Sequence, residues 1–418
     1  MDLSGDRAVR ERRAIASSAA RIGAIGSTVS SGECALPAMA LRQRALEHNL
    51  AVMRAYAAER GFLLAPHGKT TMAPVLFRRQ LAAGAIGITV ANVAQAQVAF
   101  DAGATFVLIA NEVVARPDAA TIAALRAPGR TLNCLVDSPA GTARLDAGLA
   151  EAGFTGRLGV LVELGANGRR AGARTAEAAV AAADAVNASE HLELVGVEGF
   201  EGALASDRSP GSLDAVDAFL DALRSLAVRL AEAGLFAQNG PILVSAGGSK
   251  YFDRVADKLG PGADYAGHEV RLVVRSGCYL THDHGVYATN SPLAGTGGPD
   301  ELWPALELWA EVLSRPEPDL AIVGLGKRDT SFDLGLPIPL ARVAAEGTER
   351  EPYSAAHLRA LDDQHGYLVL DPGAPPLMVG DRLAFGLSHP CTAFDRWRKV
   401  LLVDEDDVVI DEIETFFH

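Results

Sequence analysis

The sequence predicts an α/β fold, a (β/α)₈ TIM-type barrel followed by a mainly β domain. Three observations lead there. Short apolar runs recur along the chain, each followed by an Ala-rich stretch with helical spacing. Eight such runs fit within a barrel-sized span. After Tyr287 the pattern changes to β-like runs with no long helices between them.

In chain order the expected barrel strands are Phe62–Pro66, Ala85–Ala91, Phe106–Ala110, Thr131–Asp137, Arg157–Leu164, Leu192–Glu198, Ile242–Ala246 and Val270–Arg275. Between them the spacing predicts helices over Pro74–Ala83, Val93–Ala102, Pro117–Ala127, Pro139–Ala152, Thr175–Ala188 and Ser212–Ala233. Strand–helix alternation implies a parallel sheet, because parallel neighbours need a crossover connection. A doubly wound open sheet is the rival arrangement. Beyond the Gly/Pro loop Gly295–Pro304, strands are expected at Leu306–Leu313, Leu320–Val323, Tyr367–Leu370, Arg382–Gly386 and Lys399–Val403. The expected domains are therefore a barrel over 36–295 and a β domain over 296–418, with 1–35 as a candidate addition to the latter.

Composition narrows the function. The chain has 418 residues, 49% of them apolar and 22% charged, enough for a large core. A net charge of −14 disfavours nucleic acid and anionic membranes as partners. Cys34, Cys134, Cys278 and Cys391 form no C-x-x-C pair, which suits a reducing cytosol rather than a disulfide scaffold. Met1–Ser30 mixes acids and arginines without an apolar core, so no secretory signal is expected, and no apolar window is long enough to span a bilayer. These features predict a soluble cytoplasmic protein, in which a local basic pocket for a small-molecule anion remains open.

In a barrel, chemistry gathers at the C-terminal ends of the strands. The first strand runs into Pro66-His67-Gly68-Lys69. Only five lysines stand against 33 arginines, so Lys69 is a candidate for chemistry that arginine does not perform, such as Schiff-base formation. A solvated loop lysine is the bland alternative. The seventh and eighth strands end in Gly247-Gly248-Ser249 and Gly277-Cys278-Tyr279, loops whose N–H groups can converge on a phosphate. Gly324-Leu325-Gly326-Lys327 lacks Walker A spacing, and Gly165–Gly172 carries Arg169 and Arg170 where a dinucleotide loop wants bare backbone. Arg170 suits a ring nitrogen or a carboxylate, or else is a surface arginine. In Ser388-His389-Pro390-Cys391, an extended backbone turns imidazole and thiol to one side, a donor pair suited to Zn²⁺. His282-Asp283-His284 has the same spacing and competes for that role, and a core His–Cys neighbour pair is the bland reading of both.

Several segments together carry a resemblance. They are Pro66-His-Gly-Lys69-Thr-Thr, Gln80-Leu-Ala-Ala-Gly-Ala-Ile-Gly-Ile-Thr-Val-Ala91, Val107-Leu-Ile-Ala-Asn-Glu112 and Arg170-Ala-Gly172. Arg275-Ser-Gly-Cys-Tyr279, Gln364-His-Gly366 and Ser388-His-Pro-Cys-Thr-Ala-Phe-Asp395 continue the match in order. The chain resembles the D-serine dehydratase / D-threonine aldolase family, fold-type III pyridoxal-phosphate enzymes related to alanine racemase. The resemblance implies a pyridoxal-phosphate-binding barrel, usually in a homodimer. It implies Lys69 as the Schiff-base lysine and Arg170 near the pyridine nitrogen. It implies Gly247, Gly248, Ser249, Gly277, Cys278 and Tyr279 around the phosphate, and His389 with Cys391 as divalent-metal ligands, Zn²⁺ being favoured over Mn²⁺ or Co²⁺ by thiolate softness.

The reaction so implied is loss of the β-hydroxyl from a D-amino acid such as D-serine, giving a 2-oxo acid and ammonia. The alternative is retro-aldol cleavage to glycine and an aldehyde. In the family His-x-Cys accompanies dehydratases and His-x-Asp aldolases, which favours dehydration here. A pyridoxal-phosphate carrier protein would not need the second domain, and a racemase would need a second base for which no tyrosine stands out. One departure bears on substrate: where the family often has Tyr-x-Gly-His, this chain has Phe200-Glu201-Gly202-Ala203.

Overall fold

The computed structural model describes residues 23–417 apart from 239 and 297. The part of the N-terminal signal reading that falls on 1–22 lies outside the described residues. The chain divides into two compact units, one of Glu47–His282, Tyr287–Trp303 and the C-terminal tail from Phe416, the other of residues up to Leu46, Asp283–Val286 and Pro304–Thr415.

The first unit is built on eight parallel strands: Leu63–Leu64, Ile88–Val90, Phe106–Glu112, Thr131–Val136, Leu158–Leu164, Leu192–Gly199, Ile242–Ala246 and Val270–Val274. From the second to the eighth each pairs with the next in sequence, and the first pairs with the eighth. The sheet closes through an isolated bridge between His67 and Thr89, with Ile86 N–H donating to the Leu64 carbonyl at 2.9 Å and Thr89 N–H to that of Pro66 at 3.0 Å. The first two strands are short but continue as hydrogen-bonded extended chain. This closed sheet excludes the doubly wound alternative.

Sequence explains the layering. All seven residues of Leu158–Leu164 are buried, as two-faced burial in a parallel sheet requires. The helix Ala176–Ala188 buries Ala179, Ala182, Ala183 and Val186, an i, i+3, i+4, i+7 stripe that lets small side chains seat closely on the strands. Asn92, Ser138 and Thr175 cap helices by accepting from the N–H three residues on, and Pro74, Pro139 and Pro210 stand in first turns where the missing donor costs nothing. A further helix, Phe252–Leu259, follows the seventh strand.

The second unit is a largely antiparallel sheet. Its strands run Glu351–Pro352, Ile338–Val343, Arg382–Gly386, Leu306–Glu317, Ala38–Arg42, Lys399–Val403 and Val409–Glu414, and Leu320–Val323, Gly366–Leu370 and Ala356–Leu361 extend the long strand. Ala38–Arg42 lies antiparallel to Leu306–Trp309 and parallel to Leu401–Val403. Trp309, Val343, Ala384, Leu401 and Val403 form its core. Among the described residues no helix is long and apolar enough to cross a membrane.

Candidate active site

Lys69 sits on the single 3₁₀ turn Gly68–Thr70, at the carboxyl end of the first barrel strand. The turn is forced by packing. A side chain at Gly68 would drive into the Phe77 ring and Ile88, so only glycine lets the chain fold back there. His67 Nδ1 accepts from the Lys69 N–H at 3.5 Å and fixes the start of the turn. Desolvation first, then the charges of Lys69, Arg275 and Arg170, hold the His67 imidazole well below its usual range.

Those same charges identify the neighbours. Arg275 follows the eighth strand, 5% exposed, and forms an ion pair with Glu198 near the end of the sixth strand, itself 1% exposed. Its Nη2 also donates to the Gly199 carbonyl at 3.2 Å. Burial lowers the guanidinium to about 10, with Glu163 opposing and Arg170 adding to that shift. Arg170 is exposed, and its guanidinium stacks over the Phe200 ring at 5.1 Å. At the end of the third strand Glu112 is pushed up to about 8, by burial first and then by a hydrogen bond shared with Glu163. Its Oε1 has no partner.

The glycine loops approach each other as the sequence suggests. Ser276 Oγ donates to the carbonyls of Gly247 and Gly248 at 3.3 Å, tying the loop after the seventh strand to the loop after the eighth. Gly277 has no room for a side chain, which would run into the His67 carbonyl. The N–H groups of Ser249 and Gly277 have no acceptor among the described residues. The N–H groups of Gly247 and Gly248 are already engaged: both donate to the carboxylate of Glu201, fully buried on the turn Glu201–Ala203. Tyr279 is 1% exposed and its hydroxyl is bonded to Gln80 Nε2 at 3.3 Å, so its side chain anchors the loop to the helix Pro74–Ala82.

In the sequence Glu163 and Glu198 lie inside apolar runs, and Glu112, Glu201 and Arg275 inside quoted segments, but none of the five is given a role of its own there. Their signal was available: each is a charged residue at the end of an apolar run or just beyond it, where a barrel exposes its chemistry.

In the second unit, His389 Nδ1 lies 3.0 Å from Asp333 Oδ2, and Thr392 Oγ1 donates to Asp333 Oδ1 at 3.2 Å. The backbone is extended at His389 but enters a 3₁₀ turn over Pro390–Thr392, so Cys391 is presented from a turn and not from an extended strand. Among the described residues no group of three or more His, Cys, Asp or Glu side chains is arranged to hold a metal ion. The donor chemistry still fits a divalent cation. A carboxylate on Nδ1 fixes the tautomer that turns Nε2 outward, and the thiol supplies a soft second donor. The competing His282-Asp283-His284 run is not extended. His282 has φ 50°, its ring packs on Tyr287 at 4.7 Å, and the His284 ring fills the space beside Gly386.

The barrel's donor set likewise fits an aldehyde cofactor carrying a phosphate ester. An amine stands on a rigid turn, backbone N–H donors remain at the loops after the last two strands, and buried arginine charge lies close by.

Comparisons with known proteins show the family and the fold. Residues 41–252 match the family described as "Alanine racemase, N-terminal domain", and residues 305–403 match "Putative serine dehydratase domain". The chain is 27% identical to a D-threonine aldolase of an Arthrobacter species over 90% of each chain. Among solved structures, a D-threonine aldolase from Filomicrobium marinum superposes with a TM-score of 0.75 at 25% identity, covering 94% of this chain and 98% of that one. A D-threo-3-hydroxyaspartate dehydratase from Delftia sp. HT23 shares the fold with a TM-score of 0.73 at 24% identity, over 92% and 98% of the two chains. With a closed eight-stranded barrel, a lysine at the end of its first strand and a family match over half its length, the chain belongs to the alanine racemase N-terminal domain family, the fold-type III pyridoxal-phosphate group.

Proposed function

We propose that the chain is a pyridoxal-phosphate- and divalent-metal-dependent lyase of a β-hydroxy D-amino acid, and that its reaction is dehydration and deamination to a 2-oxo acid and ammonia. The observation that carries this reading is Lys69, on a packed turn ending the first barrel strand and within electrostatic reach of His67, while N–H donors remain at the loops after strands seven and eight. When bound, pyridoxal phosphate supplies a sink for the electron pair left at Cα, and a divalent cation supplies Lewis acidity at the β-oxygen.

The chain's own residues divide the remaining work. The Lys69 amine binds the cofactor and takes the α-proton. His67, held neutral, orients the turn from which Lys69 projects. Arg170, stacked on Phe200, brings a permanent positive charge to the ring nitrogen. Ser249, Gly277 and Cys278 receive the phosphate through their backbone. Gly247 and Gly248 shape that loop with their N–H groups held by Glu201, and Tyr279 pins it to Gln80. His389 and Cys391 hold the cation, Zn²⁺ by thiolate preference, with Asp333 orienting the imidazole. A cytosolic homodimer completes the reading, to be checked by light scattering and fractionation.

In the overall reaction the Cα–H and Cβ–OH bonds break, water leaves, and hydrolysis of the resulting enamine returns one water and releases ammonia. Retro-aldol cleavage is the second reading, favoured by one observation: the Arthrobacter relative and the Filomicrobium marinum structure are both named D-threonine aldolases. Incubation of the loaded enzyme with D-serine, D-threonine and 3-hydroxy-D-aspartate separates the two. Ammonia with a 2-oxo acid is expected; glycine with an aldehyde and no ammonia would establish the aldolase instead.

A further inference from the structure

The loop Gly247–Ser249 is held from two sides. Its carbonyls at Gly247 and Gly248 accept from Ser276 Oγ, and its N–H groups at the same two residues donate to the two oxygens of Glu201. Glu201 is fully buried, and a side chain at Gly248 would press against its carboxylate and the Phe200 ring. The loop expected to receive a phosphate thus already contains an anion of the protein's own, built in at the position where two amides converge. A phosphate ester at the neighbouring N–H groups of Ser249 and Gly277 comes to lie against that carboxylate.

We propose that Glu201 is a positioning residue that couples binding of the cofactor's phosphate ester to uptake of a proton by its own carboxyl group. The inference rests on the pyridoxal-phosphate reading of the barrel site. Two negative groups sharing one buried loop repel at low effective dielectric, and protonating the carboxyl relieves the repulsion while leaving one oxygen to accept an N–H. The surroundings already lean that way: burial raises the Glu201 carboxyl, the two glycine N–H groups oppose the rise, and Asp253 on the helix Phe252–Leu259 adds to it. Asp253 is itself bonded to Arg208, and Tyr251 is a further titratable group that feels the Glu201 charge. The preceding residue, Phe200, has the Arg170 guanidinium stacked over its ring.

The test compares pyridoxal phosphate with pyridoxal, which forms the same bond to lysine but lacks the ester. Cofactor-stripped protein is titrated with each, and the ratio of dissociation constants is followed between about pH 6 and 9, where one linked proton changes the ratio up to tenfold per unit. In the wild type and in Glu201→Asp, which keeps the charge, the preference for the phosphorylated form is expected to fall as pH rises. In Glu201→Gln the fall is expected to vanish, leaving only the ester's own second ionisation, which acts in the opposite sense. Calorimetry of the wild type in buffers of different ionisation enthalpy is expected to show proton uptake with pyridoxal phosphate beyond that with pyridoxal. This measurement decides the question even if Glu201→Gln does not fold. Equal uptake for the two compounds, or one pH profile shared by wild type and Glu201→Gln, overturns the coupling alone. Failure of both compounds to bind overturns the cofactor reading with it.

Discussion

Removing the Arg275 side chain as Arg275→Met leaves Glu198, 1% exposed, without its cation, and strips Glu163 of the same positive neighbour. Breaking a buried pair from one side costs about 3–5 kcal/mol, because the partner's desolvation is no longer offset. The reverse cut, Glu198→Gln, is milder, since Glu163 still attracts the guanidinium and the Gly199 carbonyl still accepts from Nη2. We expect about 4 kcal/mol for Arg275→Met and about 2 for Glu198→Gln, which at ~2–4 °C per kcal/mol for a unit of this size lowers the melting temperature by roughly 12 and 6 °C. The double variant Arg275→Met/Glu198→Leu removes both charges together and is expected to recover most of the loss. Thermal unfolding by circular dichroism at fixed cofactor concentration measures all three. Equal losses for the two single variants, or no recovery in the double, would mean that the pair is not held as a desolvated unit and that the reasoning is wrong.

Other consequences are simpler to test. Lys69→Ala is expected to abolish the visible absorbance of lysine-bound pyridoxal phosphate; a persisting band would move the assignment to another lysine such as Lys250. Thorough chelation, or His389→Ala, is expected to remove turnover and keep that band, and full activity without metal would sink the elimination scheme. A carboxyl raised in the folded state stabilises at low pH and loses that contribution as pH climbs through its folded value. Glu112→Gln should therefore match the wild type near pH 5 and be more stable near pH 9, by a few kcal/mol at most. Gly277→Ala is expected to impair folding or cofactor loading, since its side chain would displace the His67 carbonyl that precedes the Lys69 turn.

The barrel was legible because its signal is local. Leu158–Leu164 is an apolar run buried on both faces, Ala176–Ala188 and Pro210–Glu232 repeat buried residues every three or four positions, and neither pattern depends on distant partners. The β sheet was less so. Ala38–Arg42 finds its partners at Leu306–Trp309 and Leu401–Val403, hundreds of residues away, and nothing nearby marks it as a strand. Ala356–Leu361 carries polar residues at alternate positions, Val409–Glu414 is half acidic and Ile338–Val343 contains Pro339, so none stands out as a strand beside the apolar runs. The His389–Cys391 geometry differed for a specific reason: proline's fixed φ suits the first residue of a helical turn as well as an extended chain, and here the turn prevails. Lys69 was found by scarcity and position, whereas Glu201 was hidden because a carboxylate after a strand resembles an ordinary surface residue until its two N–H partners, 46 and 47 positions on, are known.

The charges at the carboxyl end of the barrel explain why so many acids are tolerated around a site read as anion-binding. Lys69, Arg170 and Arg275 bring three positive charges, and Glu163, Glu198 and Asp137 bring three negative ones. Among the described residues neither Glu112 nor Glu201 forms an ion pair, and these are the two carboxyls in the group that the structure raises above their usual range. Burial is the first cause of the rise at both carboxyls, and at Glu201 it is opposed by two backbone N–H donors rather than by a lysine or arginine. A phosphate dianion entering such a mouth has little unpaired cationic charge to meet. It has to be received by backbone N–H groups and by protons taken up nearby, which is how a strongly acidic chain can bind an acidic cofactor without a basic patch.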